Sequence, residues 1–138
     1  QTIILNTEIA AGIEIPEARY KDWFPNFTLG DLICDDTATG LIVVGNKVDP
    51  LDIDAFAHVQ LNLYKDEELI ATGDSSEVLG NPLNAVLWLI KKLHSHGKQI
   101  KKGQVISSGT FISPLKLEYG TYRAEYSGIG TVEFKVSK

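Results

Sequence analysis

Only one stretch of the chain carries a full set of helix signals, and nearly everywhere else apolar residues recur at every second position. Asn81-Pro82 opens that stretch, because asparagine is a good N-cap acceptor and proline is favoured at the first helical position. Leu83, Val86, Leu87, Ile90 and Leu93 follow as an apolar stripe. They predict a helix from Pro82 to His96 with Leu87 and Ile90 at the centre of its buried face. Lys91, Lys92, His94 and His96 suit the negative end of the helix dipole, and Gly97 suits the residue just past the end.

The rest of the pattern is strand-like. Ile13 and Ile15 flank Glu14 and fall on one face of a short strand, with Pro16 ending ladder donation. Thr28 to Ala38 reads as a short helix or turn through Leu29, Leu32 and Ile33. Gly40 to Gly45 is an apolar run bounded by glycines, which predicts a strand buried on both faces. Asn46 to Asp54 carries the turn signal Asp49-Pro50. Val59, Leu61 and Leu63 alternate with Gln60, Asn62 and Tyr64, break at Lys65-Asp66-Glu67-Glu68, and return through Leu69 to Gly73 as a hairpin with one wet face. Gln104 to Ser108 predicts a further strand. Tyr122, Ala124 and Tyr126 then turn through Ser127-Gly128-Ile129-Gly130 into Val132, Phe134 and Val136. Short strands with one long helix make the class α+β, mainly β, and residues 1–138 read as a single domain without repeats.

With 138 residues, 43% of them hydrophobic and 22% charged, the chain is long enough to bury a core without disulfides or a metal staple. Thirteen basic against 18 acidic residues leave a net charge of −5, which lacks the footprint of a nucleic-acid binder. No apolar run is long enough for a membrane span. Cys34 is the sole cysteine, so there is no disulfide framework or cysteine zinc site, and a cytoplasmic setting is expected. There is no methionine, and Gln1 runs straight into Ile3-Ile4-Leu5. That beginning leaves two expectations open: a removed tag, or the C-terminal part of something longer.

No phosphate loop, nucleophile elbow or His-Glu-x-x-His motif is present. His94 and His96 are two apart and point to different sides of a helix, so dipole complementation is the default. Cys34 among Leu32, Ile33 and two aspartates reads as a buried, inert thiol, because no cation stands beside it in sequence. Glu14, taken alone, reads as a solvent-facing strand residue; the alternative is a carboxylate in a cleft, able to hold a hard divalent cation. Asp31, Asp35 and Asp36 offer further oxygens but resemble a solvated face. Ser107-Ser108-Gly109-Thr110 is either a plain turn or a strand end presenting hydroxyl and backbone donors to an anion.

The run from Gly80 to Pro114 resembles the C-terminal part of the 2-keto-4-pentenoate hydratases, of the fumarylacetoacetate hydrolase superfamily, alongside the 4-oxalocrotonate decarboxylases. The resemblance is carried by Gly80-x-Pro82-x-Asn84-Ala85, Trp88-Leu89, Gly103 and Ser108-Gly109. It extends to Ile13-Glu14-Ile15 through Arg19, Asp22 and Trp23, and to Gly128-Ile129-Gly130-Thr131-Val132. It implies a mixed β-roll with one long flanking helix, in a homo-oligomer. The implied activity is hydration of a 2-hydroxypenta-2,4-dienoate-type 2-keto acid in aromatic catabolism, or decarboxylation of a 2-keto-hexenedioate. A non-catalytic fragment or degenerate homologue is the further alternative. Family members hold Mg²⁺ or Mn²⁺, which would chelate the substrate's carboxylate and 2-oxo group and stabilise an enolate. The resemblance makes Glu14 one metal ligand and places the family's Glu-x-Glu pair and lysine before Gln1. It puts Ser108, Gly109, Thr110 and Asp36 beside the substrate. Where the family commonly reads Asp-Asn-Ala-Ser, this chain has Asp35-Asp36-Thr37-Ala38, so an alanine stands where relatives present a serine.

Overall fold

A computed structural model describes residues 6–22 and 26–138. Trp23, part of the family pattern, and Ile3-Ile4-Leu5 lie outside the described residues. The elements run β1 (Ile9–Ile15), α1 (Leu29–Cys34), β2 (Leu41–Val48), β3 (Gln60–Lys65), β4 (Glu68–Asp74), α2 (Pro82–Ser95), β5 (Gly120–Tyr126) and β6 (Gly130–Val136). They form a two-stranded sheet, β1-β2, and a four-stranded sheet in the order β4-β3-β5-β6. The described pairings are all antiparallel, so the expected mixed arrangement is not seen among the described residues.

Period-two alternation places Leu61 and Leu63 of β3, Ala124 of β5 and Val132 of β6 on one face, where Leu63 pairs with Ala124 and Ala124 with Val132. Together with Ala11 of β1 these form the buried cluster, against which Ile13, Val43, Phe111, Ile112, Tyr126 and Ile129 pack. The small pair of strands therefore lies across the inner face of the larger sheet, nearest β6. Gly45 permits that approach: a Cβ there would stand 2.9 Å from the Thr131 carbonyl oxygen and 3.3 Å from Val132 Cβ. At the β3–β4 turn, Asp66 and Glu67 both take positive φ, 47° and 70°, as a two-residue hairpin requires. The Asp66 carboxylate then accepts from the Thr121 N–H at 2.8 Å, tying this turn to the start of β5.

The helix forms where expected. Asn81 accepts from the Leu83 N–H at 2.9 Å, Pro82 occupies the first turn, and Gly97 closes the end at φ 66°. Its buried face differs from expectation. Leu87 is 49% and Trp88 62% exposed, while Pro82 is the buried residue of the helix. The packed seam runs along Val86, Leu89, Ile90 and Leu93, and Leu87 lies roughly 100° around the helix from Val86. Leu89 and Leu93 face Ile100, Val105 and Ile106 across a groove of about 280 Å³.

Three other expectations are corrected. The strand around Gly40–Gly45 is not buried on both faces: Leu41, Ile42 and Val44 are 73%, 43% and 42% exposed. Only its Val43 and Gly45 side meets the core, because no described element covers the other. Gln104 to Ser108 makes no ladder and runs as irregular chain beside α2. Cys34 is exposed rather than buried, since α1 buries none of its residues.

Gly45→Ala is expected to lower stability by about 1–3 kcal/mol, because a backbone oxygen cannot move aside as a flexible side chain can. Urea unfolding of both proteins measures it, and an unchanged midpoint would mean that β2 does not press on β6.

Candidate functional site

Three pieces of chain carry the expected site residues: β1, a turn bonded to the chain just after it, and a segment linked to it through Phe111 and Tyr126. The first is β1 itself, which pairs with β2 so that Glu14 lies opposite Ile42. Ala11 and Ile13 face the core, and Glu14 is exposed. Its carboxylate has no hydrogen-bond or ion-pair partner among the described residues. It is close enough to Tyr126 to act on it: burial pushes the Tyr126 phenol above its ordinary pKa, and the Glu14 charge adds to the rise.

The second piece is the turn after α1. Asp36, Thr37 and Ala38 take φ values of 52°, 59° and 55°, three consecutive residues in the left-handed region that non-glycine residues rarely occupy. Arg19 holds this turn in place. Its Nε donates to Asp35 Oδ1 at 2.7 Å, its terminal nitrogens donate to the Asp35 and Thr39 carbonyls at 2.8 and 2.9 Å, and its backbone N–H reaches Asp35 Oδ2 at 3.3 Å. The Glu17 N–H donates to the Ala38 carbonyl at 3.0 Å. The turn is thereby fixed to the chain just past Glu14. The Asp36 carbonyl accepts from Thr37 Oγ1 at 2.7 Å and also from Thr39 Oγ1, while its side chain is exposed. Ala38 is buried, so a serine there would have its hydroxyl at a packed position.

The third piece is the irregular chain from Ser108 to Ile112. Gly109 takes φ 126°, and a Cβ on it would come within 2.9 Å of Val78 Cγ1, so both conformation and space favour glycine. Ser108 is half-buried. The Thr110 hydroxyl donates to the Ile112 carbonyl at 2.9 Å and accepts from the Ile112 N–H at 3.4 Å, so its donor is already engaged in its own turn. Phe111 meets Tyr126 edge-on, with ring centroids 5.6 Å apart, and Tyr126 Oη donates to the Gly12 carbonyl at 2.7 Å. Tyr126 thus touches both β1 and the neighbourhood of Ser108–Thr110.

Beside the second piece, Tyr20 packs on Phe27 at 5.3 Å, and its buried hydroxyl has no partner among the described residues. Its phenol is pushed up by burial first, then by the Asp35 and Asp31 carboxylates. Asp31 completes a capping box on α1, accepting from the Thr28 N–H at 2.8 Å, while the Asp31 N–H donates to Thr28 Oγ1 at 3.1 Å.

The resemblance sets Glu14, Asp36 and Ser108–Thr110 about one site; in the fold the Asp36 turn is bonded to the chain after β1, while Ser108–Thr110 is linked to β1 indirectly, through Phe111 and Tyr126. The sequence did not show Arg19 as the clamp on the 36–38 turn, or Tyr126 as the link between strands. The Thr28-x-x-Asp31 spacing was a visible capping signal. Nothing in the alternation of Tyr122, Ala124 and Tyr126 announces a hydroxyl bonded to a carbonyl 114 positions away.

A hard dication takes several oxygen ligands, but the described residues contain no group of three or more His, Cys, Asp or Glu side chains able to hold one. Glu14 is one suitable donor without a set around it. The residues described here do not make a metal site by themselves.

No model of a known protein family matches the chain. Among curated proteins it is 32% identical over 130 residues to the 2-keto-4-pentenoate hydratase of Paraburkholderia phymatum, covering 93% of this chain and 48% of that protein. To the 2-keto-4-pentenoate hydratase of Burkholderia vietnamiensis it is 33% identical over 124 residues, 88% of this chain and 46% of that one. The chain is homologous to the 2-keto-4-pentenoate hydratases. It spans about half the length of these relatives. Its fold is shared with 4-oxalocrotonate decarboxylase from Pseudomonas putida G7, solved complexed with calcium and acetate. That likeness has a TM-score of 0.77 at 21% identity, over 91% of this chain and 47% of the decarboxylase. A second structure of the same enzyme, complexed with magnesium and adipate, gives a TM-score of 0.75.

The Asp31 carboxyl is held below its ordinary pKa, first by the Thr28 N–H and then by the Thr28 hydroxyl. A group depressed on folding contributes stability that is full above the unfolded aspartate pKa of about 4 and is lost as pH falls through its lowered folded value. Thermal melts should therefore separate the wild type from Asp31→Asn at pH 7 and bring the two together toward pH 2. A gap that does not narrow would mean the carboxylate is not the source of the stabilisation.

Proposed function

We propose that the polypeptide carrying this chain hydrates 2-hydroxypenta-2,4-dienoate-type 2-keto acids. What carries the reading is 32–33% identity to hydratases across roughly nine-tenths of this chain. Decarboxylation of a 2-keto-hexenedioate is the second reading, favoured by the fold likeness to 4-oxalocrotonate decarboxylase. At 21% identity that likeness speaks for the fold, and the hydratase reading takes precedence. A substrate panel separates the two: a hydratase adds water to the dienoate, and a decarboxylase releases CO₂.

In this reading the two sheets with their flanking helix belong to a β-roll of the fumarylacetoacetate hydrolase C-terminal type, working as a homo-oligomer in the cytoplasm. Glu14 stands as an unpaired carboxylate at the reacting end of the substrate. Ser108 and the backbone of Gly109 serve as donors for the substrate's carboxylate, and the Asp36 turn borders the same space. Thr110 acts through its turn, since its hydroxyl is engaged. The calcium and magnesium in the decarboxylase complexes support dependence on a divalent cation, which this reading takes as Mg²⁺ or Mn²⁺ with Glu14 as one ligand. The described residues supply no complete donor set.

Glu14→Gln keeps the side chain's shape and removes its charge. In the polypeptide as encoded, kcat on 2-hydroxypenta-2,4-dienoate should fall on the order of 10²-fold, the lower range for a positioned carboxylate. If the variant folds by thermal melt and turns over within about twofold of the wild type, Glu14 is a surface strand residue and the assignment fails.

A second measurement addresses the cation. Calorimetry on these 138 residues should show no Mg²⁺ binding tighter than about millimolar, roughly −4 kcal/mol. Micromolar affinity would show that Asp31, Asp35 or Asp36 completes a site with Glu14.

A further inference from the structure

Among the described residues, a side-chain hydrogen bond fastens the strand that carries Glu14 to the larger sheet. Tyr126 Oη donates to the Gly12 carbonyl at 2.7 Å, two residues before Glu14 and beside the register shift between Ala10 and Gly12. A shift of register loosens the regular ladder locally, so a hydroxyl anchored there decides where the strand beyond it runs. The same ring is braced by Phe111 at 5.6 Å, next in sequence to Thr110. One phenol therefore touches both the Glu14 strand and Phe111, which directly follows the Ser108–Thr110 segment.

We propose that Tyr126 is a positioning residue for hydration, acting through Glu14: its hydroxyl sets the carboxylate's place relative to the segment that holds the substrate. The inference rests on the proposed role of Glu14. A phenylalanine at the same position would keep the ring, its burial and the Phe111 contact, but would leave the Gly12 carbonyl without this donor. The hydroxyl is thus separable from packing.

The experiment is a double-mutant cycle in the polypeptide as encoded, with Tyr126→Phe, Glu14→Gln and the pair, assayed on 2-hydroxypenta-2,4-dienoate. Tyr126→Phe should lower kcat about five- to tenfold, the order of one net hydrogen bond, with KM changed less than twofold. In the Glu14→Gln background the same change should lower kcat no further, because the carboxylate it positions is already gone. Hydrogen exchange should rise over residues 9–15 in Tyr126→Phe and stay unchanged over residues 60–74, a readout that does not depend on activity. Equal losses in both backgrounds, or unaltered exchange over residues 9–15, would overturn this inference and leave the role of Glu14 standing. A Glu14→Gln enzyme as fast as the wild type would overturn both.

Discussion

The two sheets can share one core only because the residues between them are small. Ala11 and Ala124 are 2% and 1% exposed, and Gly45 brings β2 against the backbone of β6. Larger side chains at these places would push β1–β2 outward, and interiors packed to crystal density tolerate little such displacement. Everything proposed for the site depends on this closeness. With β1 held further off, Tyr126 could not reach Gly12, and the Ser108–Ile112 segment would no longer be linked to the strand bearing Glu14.

What the sequence made legible was local. The N-cap, proline and terminal glycine of α2 define a helix without help from the rest of the fold, so its limits matched to within a residue. Alternation in β3, β5 and β6 was equally plain because those strands have one packed and one wet face. Leu87 was misplaced because a stripe tells how wide an apolar face is and not where the neighbouring chain lies against it. The run from Gly40 to Gly45 looked doubly buried because apolar content records tolerance for burial, while the covering element must come from elsewhere. Gln104–Ser108 had strand-like residues but found no partner edge, and a strand exists only by pairing.

At the site the division was similar. Glu14 could be assigned to a strand, and Ser108–Thr110 to an irregular end, from residue type alone. The left-handed run at Asp36–Ala38 carries no glycine to signal it. It is imposed by Arg19, whose guanidinium satisfies two carbonyls and a carboxylate at once. Side-chain claims on distant backbone of this kind, like that of Tyr126, are fixed by the tertiary arrangement.

The contact between Tyr126 and Gly12 joins positions 114 residues apart, and that span bears on how the chain is made. At usual synthesis rates it corresponds to roughly 6 to 23 seconds between the emergence of one partner and the other. During that interval Ala11 and Ile13 have none of β5 or β6 to bury against; of the buried cluster they join, only Leu61 and Leu63 of β3 have been made. Tyr126 can therefore fix the Glu14 strand only after β3 and β4 have already been made.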